Sequence, residues 1–298
     1  MKAVLRVHLA ILIFLMCVFI KPDATVASTS PFFKNSEIIQ KVIQYGYSLK
    51  NTKNKVLPKA EFWCYAPVAT TAFQQLLSLE TSRPYEMIED DSGNQILHFT
   101  FLDIPPFSTK IIHIQSNMEF RSKPKSIPVT DPQHFLQPEE FIQSDHPAII
   151  RLAGKLKGKN ILQTVSNIFN WVAGEINYIG YLRNERGALY AFQQKKGDCT
   201  EFAALFVALC RANKIPARMI GGYICSANCI LRAGEYHNWG EFYLDGTWRI
   251  ADPQKKVFMK DESQYVAMKM IGNVPENQAI YFQRFRVVGD GLNVTMNR

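Results

Sequence analysis

The sequence predicts an α+β chain in which a β-sandwich precedes a half that mixes helices with strands, and three observations point there. The 298 residues are 47% hydrophobic and 20% charged, a globular composition long enough for one large or two medium cores, which excludes disorder as the main state. Up to about residue 125, short apolar or alternating runs are broken by turn residues. Beyond residue 147 the apolar period lengthens to that of helices, and after Ala217 it returns to that of strands.

Residues 1–27 stand apart from the fold. Lys2, Arg6 and His8 precede the apolar run Leu9 to Ile20, and the small residues Thr25, Val26 and Ala27 close the stretch, the three-part layout of a secretory signal peptide cleaved near Ala27. An uncleaved anchor fits less well. The run would rise only about 18 Å as a helix, against roughly 30 Å for a bilayer core. Bulky Met16 argues against a lipid-modified Cys17. The mature chain is therefore expected outside the cytoplasm, secreted or periplasmic, without a stable membrane span.

Residues 35–125 form the expected β-sandwich domain. Pro67, Asp91 with Gly93 and Asn94, and Pro105 with Pro106 mark its turns; Gln95 to Leu102 and Thr109 to Ile114 are its clearest strands. Ser122 to Pro132, rich in Lys, Ser and Pro, reads as a linker to a second domain over 133–298. There Ala148 to Leu156 and Ile161 to Ile176 read as helices, the second with Ile161, Val165, Ile168, Phe169 and Val172 on one face. A third helix, Cys199 to Ala212, opens on Asp198 as N-cap with Glu201 three residues later, as in a capping box. Phe202, Phe206 and Leu209 give it a buried stripe, and Pro216 follows its end. Strands then cover Ala217 to Ile224, His237 to Leu244 and Thr247 to Asp252.

Losing the leader takes the formal net charge from +8 to +6, moderately basic. The Lys and Arg residues are scattered, without the basic stripe and interleaved aromatics of a nucleic-acid surface, so no nucleic-acid partner is expected. Of six cysteines, Cys17 leaves with the leader, and five remain: Cys64, Cys199, Cys210, Cys225 and Cys229. An odd number in an oxidising compartment leaves at least one free thiol. Cys225 and Cys229 are close enough in sequence to close a small disulfide, although spacing alone does not make their side chains converge.

Asp245 and Gly246 join the last two strands as a type I′ hairpin would. With those two residues as the loop, Leu244 pairs with Thr247 and Trp239 faces Asp252. His237 then lies diagonal to Asp252 on one sheet face, within reach of an imidazole–carboxylate contact. A core histidine bonded to a backbone carbonyl is the bland alternative, which the paired Asp disfavours. Cys210, mid-helix, reads as a small core residue. Cys199 sits in a first helical turn, where unpaired N–H groups favour a thiolate and can donate to an oxyanion, with Asp198 and Glu201 opposing by like charge.

The stretch Lys196-Gly197-Asp198-Cys199-Thr200-Glu201-Phe202-Ala203, then Ile215-Pro216-Ala217-Arg218, Gly222-Tyr223, His237-Asn238-Trp239-Gly240-Glu241, Trp248 and Asp252-Pro253 resembles the core of the transglutaminase-like superfamily over roughly residues 135–255. More weakly, 35–125 resemble the β-domain that precedes this core in many bacterial members. The resemblance implies a papain-like core, a helix bundle carrying the Cys packed on an antiparallel sheet carrying His and Asp. It implies a catalytic triad of Cys199, His237 and Asp252. It also implies acyl transfer or hydrolysis at a peptide, isopeptide or small amide carbonyl through an acyl-thioester, as in a cysteine protease or an acyltransferase. Asn238 departs from the small residue often found at its position.

The backbone N–H of Cys199 is one expected oxyanion donor; the second is open among Trp171, Tyr178 and Tyr190. Trp239 and Trp248 are expected to pack around the triad. No Cys or His pair has zinc-ligand spacing and nothing suggests a coenzyme site, so neither metal nor cofactor is expected. Two other readings stay open: a non-catalytic peptide-binding module of the cell envelope, and arylamine acetyl transfer, which would require acetyl-coenzyme A.

Overall fold

The computed structural model describes residues 38–272 and 282–297, so the signal peptide expected at 1–27 lies outside the described residues. The first half is strands: β1 (Ile38–Asn51), β2 (Leu57–Tyr65), β3 (Gln74–Thr81), β4 (Glu86–Glu89), β5 (Gln95–Ile104) and β6 (Thr109–Arg121). After an irregular stretch come α1 (Pro147–Leu156), α2 (Ile161–Glu175), β7 (Asn177–Tyr178), α3 (Gly187–Gln194), β8 (Lys196–Gly197) and α4 (Cys199–Ala212). The chain then runs through β9 (Ala217–Ile224), β10 (Cys229–Ile230), β11 (His237–Leu244), β12 (Thr247–Asp252), β13 (Val257–Phe258) and β14 (Tyr265–Ile271) to β15 (Phe285–Val288) and β16 (Leu292–Met296).

Two sheets enclose the first core. One has the order β10-β1-β6-β3, with β16 also on β1; the other runs β15-β2-β5-β4. Alternation along β1 turns Ile43, Tyr45, Tyr47 and Leu49 inward, onto Phe62, Cys64 and Phe99 of the opposite sheet. The C-terminal strands correct the domain assignment made from sequence. Grouped there with residues 133–298, β15 and β16 instead pair with β2 and β1, as in Phe285↔Cys64 and Tyr47↔Met296. Their N–H and C=O groups satisfy sheet edges that the first six strands leave open.

In the second half α4 is the central element. Every residue from Thr200 to Arg211 is buried, beyond the single stripe the sequence suggests. The reason is enclosure: α1, α2 and α3 pack on one side and β9 and β11 on the other, so an Ala-, Leu- and Phe-rich helix that is apolar nearly all round finds partners all round. Arg211 is tolerated there because its guanidinium donates to the carbonyls of Ala217 and Gln137 and pairs with Glu139 at 2.6 Å. On α2, Val165, Ile168, Phe169 and Val172 are buried as the spacing predicts, whereas Ile161, at the exposed first turn, is 47% exposed.

The antiparallel sheet β13-β12-β11-β9-β14 lies against α4 with one face. Its other face carries Ile220, Trp239, Trp248, Ile250 and Tyr265, packed with Val68, Ala72 and Phe73 from the first half. The stretch read as a linker is docked here. Lys125 N donates to the Ala72 carbonyl, while the Thr247 and Ser126 hydroxyls donate to the carbonyls of Lys125 and Gly246.

Candidate functional site

The β11–β12 hairpin sets the register of the site. Asp245 and Gly246 have φ of 49° and 82°, the two positive values a type I′ turn demands, and Leu244↔Thr247 to Gly240↔Ala251 are paired as the two-residue loop dictates. One step further, His237 comes diagonal to Asp252. Its Nε2 lies 2.6 Å from Asp252 Oδ2, with both residues buried. The carboxylate is held by two more donors, the Tyr265 hydroxyl to Oδ2 and the Lys255 N–H to Oδ1, each at 3.0 Å. Buried beside this charge, Tyr265 has its phenol pKa pushed well up, by burial first and by Asp252 second.

Cys199 is the first residue of α4, half-buried at its open end. Asp198 caps the helix: Oδ1 accepts from Thr200 N at 2.8 Å and Oδ2 from Leu182 N at 2.9 Å. Glu201 closes the capping box on Asp198 N at 3.0 Å and also accepts from Arg186 N at 2.9 Å. The two acids thus fasten the 182–186 loop beside the cysteine. Burial raises the Glu201 pKa, which weakens the like-charge opposition that the sequence suggests.

Cys199 and His237 face the same groove, and the sulfur is near enough to act on the charge of the imidazole. With Nε2 turned to Asp252, Nδ1 is the ring nitrogen left for the sulfur. Burial alone would lower the imidazole pKa; the hydrogen bond to Asp252, then the neighbouring Cys199 sulfur and the Asp252 charge, outweigh it and carry the pKa up to about 9. The fold therefore brings together all three residues singled out from sequence. A half-buried thiol faces an imidazole that holds its proton at neutral pH, on a carboxylate anchored by three donors.

A groove of about 880 Å³ exposes Cys199 and His237 to solvent. Tyr178 and Gln254 line it, and so does the loop closed by the Cys225–Cys229 disulfide. Of the three oxyanion candidates, Tyr178 is in this groove; Trp171 packs on Phe192 and under Lys195, and Tyr190 under Arg186. Trp239 stacks at 6.4 Å on the His237 ring and is 1% exposed, as expected of a water-excluding neighbour. Trp248 differs. It packs on Phe135 and Tyr243 beneath the Arg218 guanidinium, because its place in β12 sets it toward the docked linker.

Asn238 is buried and donates to the Thr200 hydroxyl at 2.8 Å, tying β11 to the head of α4. Tyr265 and Gln254 are residues that sequence reasoning missed. Among the described residues no group of three or more His, Cys, Asp or Glu is arranged to hold a metal ion, and no helix is long and apolar enough to cross a membrane.

Residues 150–253 match the family model of the transglutaminase-like superfamily. Among solved structures, the chain is similar in fold to a putative cysteine protease from Cytophaga hutchinsonii, with 21% identity, a TM-score of 0.57, and coverage of 87% of this chain and 92% of that one. It is also similar, at 16% identity and a TM-score of 0.38, to the periplasmic domain of TgpA from Pseudomonas aeruginosa bound to ethylmercury, covering 77% of this chain and 99% of that one. No curated protein matches the chain.

Proposed function

We propose that the chain, whose residues 150–253 match the transglutaminase-like superfamily, is a cysteine-dependent amide hydrolase or acyltransferase working through Cys199, His237 and Asp252. The observation that carries this reading is the His237 ring held at 2.6 Å on the buried Asp252 carboxylate and sharing one groove with the Cys199 thiol.

In the proposed reaction the Cys199 sulfur, its proton held on His237, attacks the carbonyl carbon of a peptide or related amide. The developing oxyanion accepts from the backbone N–H of Cys199 at the head of α4. As the C–N bond breaks, the imidazolium gives its proton to the departing amine, leaving an acyl-thioester. Water or a second amine then attacks that thioester, His237 takes the proton of the attacking group, and the sulfur leaves. Asp252 orients the ring and stabilises its charge, with Tyr265 holding Asp252 in turn. Action outside the cytoplasm is supported by the signal-like residues 1–27 and by the Cys225–Cys229 disulfide, a bond that persists in oxidising compartments.

The test is to incubate the purified chain with a panel of peptide and isopeptide amides, with and without hydroxylamine, and to follow intact mass. The expected result is an acyl adduct on Cys199 and a hydroxamate product, both missing in Cys199→Ala. Peptides that bind without any adduct or turnover would overturn the enzyme reading in favour of a binding module.

A further inference from the structure

A second cavity, of about 70 Å³, shares Cys199 and Tyr236 with the catalytic groove. It has room for a small polar group and not for a folded segment. Three cationic side chains line it: Arg183, Lys269 and Arg284.

Lys269 is the anomaly among them. It lies on β14, an otherwise apolar strand, and is 5% exposed, a position where an aliphatic residue would spare the desolvation of an ammonium. Burial pulls its pKa down to about 8, against the opposing pull of Glu185 and Asp90, so it is mainly a cation at neutral pH. Its Nζ donates to the Phe282 carbonyl at 2.7 Å. Arg284 is fixed as firmly. Its guanidinium lies 4.7 Å over the Tyr236 ring, and Nη1 donates to the Ala233 carbonyl at 2.7 Å. A stacked guanidinium held by one bond keeps its remaining donors oriented, a preorganised receptor for a planar anion. Tyr236 can stand there because Gly221 faces it: a Cβ at that position would collide with the tyrosine hydroxyl.

Among the described residues, the two carboxylates on the cavity wall, Asp198 and Glu185, form no ion pair with Arg183 or Arg284. Both oxygens of Asp198 accept backbone N–H groups. Glu185 has its pKa raised, by burial above all, and accepts from Gln283 Nε2 at 3.2 Å. Neither Arg183 nor Arg284 forms an ion pair among the described residues.

We propose that this cavity is a carboxylate-binding subsite, and that the substrate is an amide bearing a carboxylate close to the bond attacked. The inference rests on the reading of Cys199 as the nucleophile, since it is the shared sulfur that makes the cavity part of a substrate site. Two sources offer this chemistry: the free C-terminus of a peptide, and an Asp or Glu side chain within one.

The test uses the full chain carrying Cys199→Ala, so that binding is read without turnover. It is dialysed against N-acetylated tetrapeptide libraries in three forms: neutral sequences as free acids, the same sequences as C-terminal amides, and amides with one internal Glu or Asp. Retained peptides are quantified by mass spectrometry. The free acids, the Glu- or Asp-containing amides, or both should be retained about tenfold over the neutral amides, the size of a charge-assisted hydrogen bond. Which form prevails names the source. Adding Arg284→Met should abolish the preference; this change on the cavity wall keeps the test interpretable if Lys269→Met does not fold. Equal retention of all three forms, or retention of none, would overturn the subsite. Alkylation of wild-type Cys199 with iodoacetamide checks the nucleophile separately. A carboxylate preference that survives with a sluggish Cys199 would keep the subsite and sink the enzyme reading.

Discussion

The two ends of α4 each present a cysteine, and the contrast between Cys199 and Cys210 sets the proposed nucleophile against a core thiol within a single helix. Cys210, near the C-terminal end, is completely buried between α4's neighbours, and burial drives its thiol pKa well up. Cys199, at the N-terminal end, is half-buried on a groove that it shares with His237. Composition does not distinguish them. Place does: the head of the helix offers the positive end of its dipole and an open side, and the β11–β12 hairpin delivers an imidazole to that side.

The largest effects should come from breaking the Cys199 end. Cys199→Ala should lower turnover at least about a thousandfold, and His237→Ala nearly as much, with the double change adding little, as expected of groups that act as a unit. Steady-state kinetics on any amide the wild type cleaves would show it. Cys199→Ala should not lower the unfolding midpoint much, since Ala is well accepted in a first helical turn, whereas His237→Ala should lower it, because it leaves the buried Asp252 carboxylate without its ion-pair partner.

A pH series probes the same end through stability. The folded pKa of His237 lies at about 9, above the ordinary 6.5, so the charged imidazole contributes stability that is fully present below pH 6.5 and is lost as pH rises through about 9. The difference amounts to something on the order of 3 kcal/mol. Urea unfolding at pH 6 and pH 10 should show wild type losing more stability than His237→Gln; parallel losses would mean that the imidazole is not held charged by its partners.

At the other end, Cys210→Ser should leave turnover intact and cost about 1–3 kcal/mol in stability, because a hydroxyl replaces a thiol in an apolar core. Equilibrium denaturation measures it, and a loss of activity without a loss of stability would blur the contrast between the two cysteines. The smallest effect is expected from Tyr265→Phe, which removes one of the three donors to Asp252 and should lower kcat about threefold to tenfold with KM little changed. Wild-type kcat in this variant would make Tyr265 a packing residue only.

Legibility followed the range of the forces at work. The capping box of Asp198 and Glu201 and the Asp245-Gly246 turn are local, so the start of α4 and the register that sets His237 against Asp252 could be read directly from the chain. Tyr265 could not. It reaches Asp252 because β14 pairs with β9, two strands away from β12 in the sheet, and its strand, buried at Tyr265 through Lys269, lacks the alternation of a half-exposed one. The helix α3 was hidden by weak signals: Arg186 provides no side-chain cap, and its buried face consists of the small residues Gly187, Ala188 and Ala191. The return of β15 and β16 to the sandwich joins strands from opposite ends of the chain, which no local pattern encodes.

Alkylation measured residue by residue tests the contrast between the two cysteines most directly. Native protein is exposed to iodoacetamide at pH 7, and the labelling rates of Cys199, Cys210 and Cys64 are followed by peptide mass spectrometry. Cys199 should react faster than a model thiol of pKa about 8.5 and slow markedly in His237→Ala, while buried Cys210 and Cys64 stay unlabelled until the protein unfolds. A Cys199 that reacts no faster than the model thiol, and at the same rate without His237, would contradict the account.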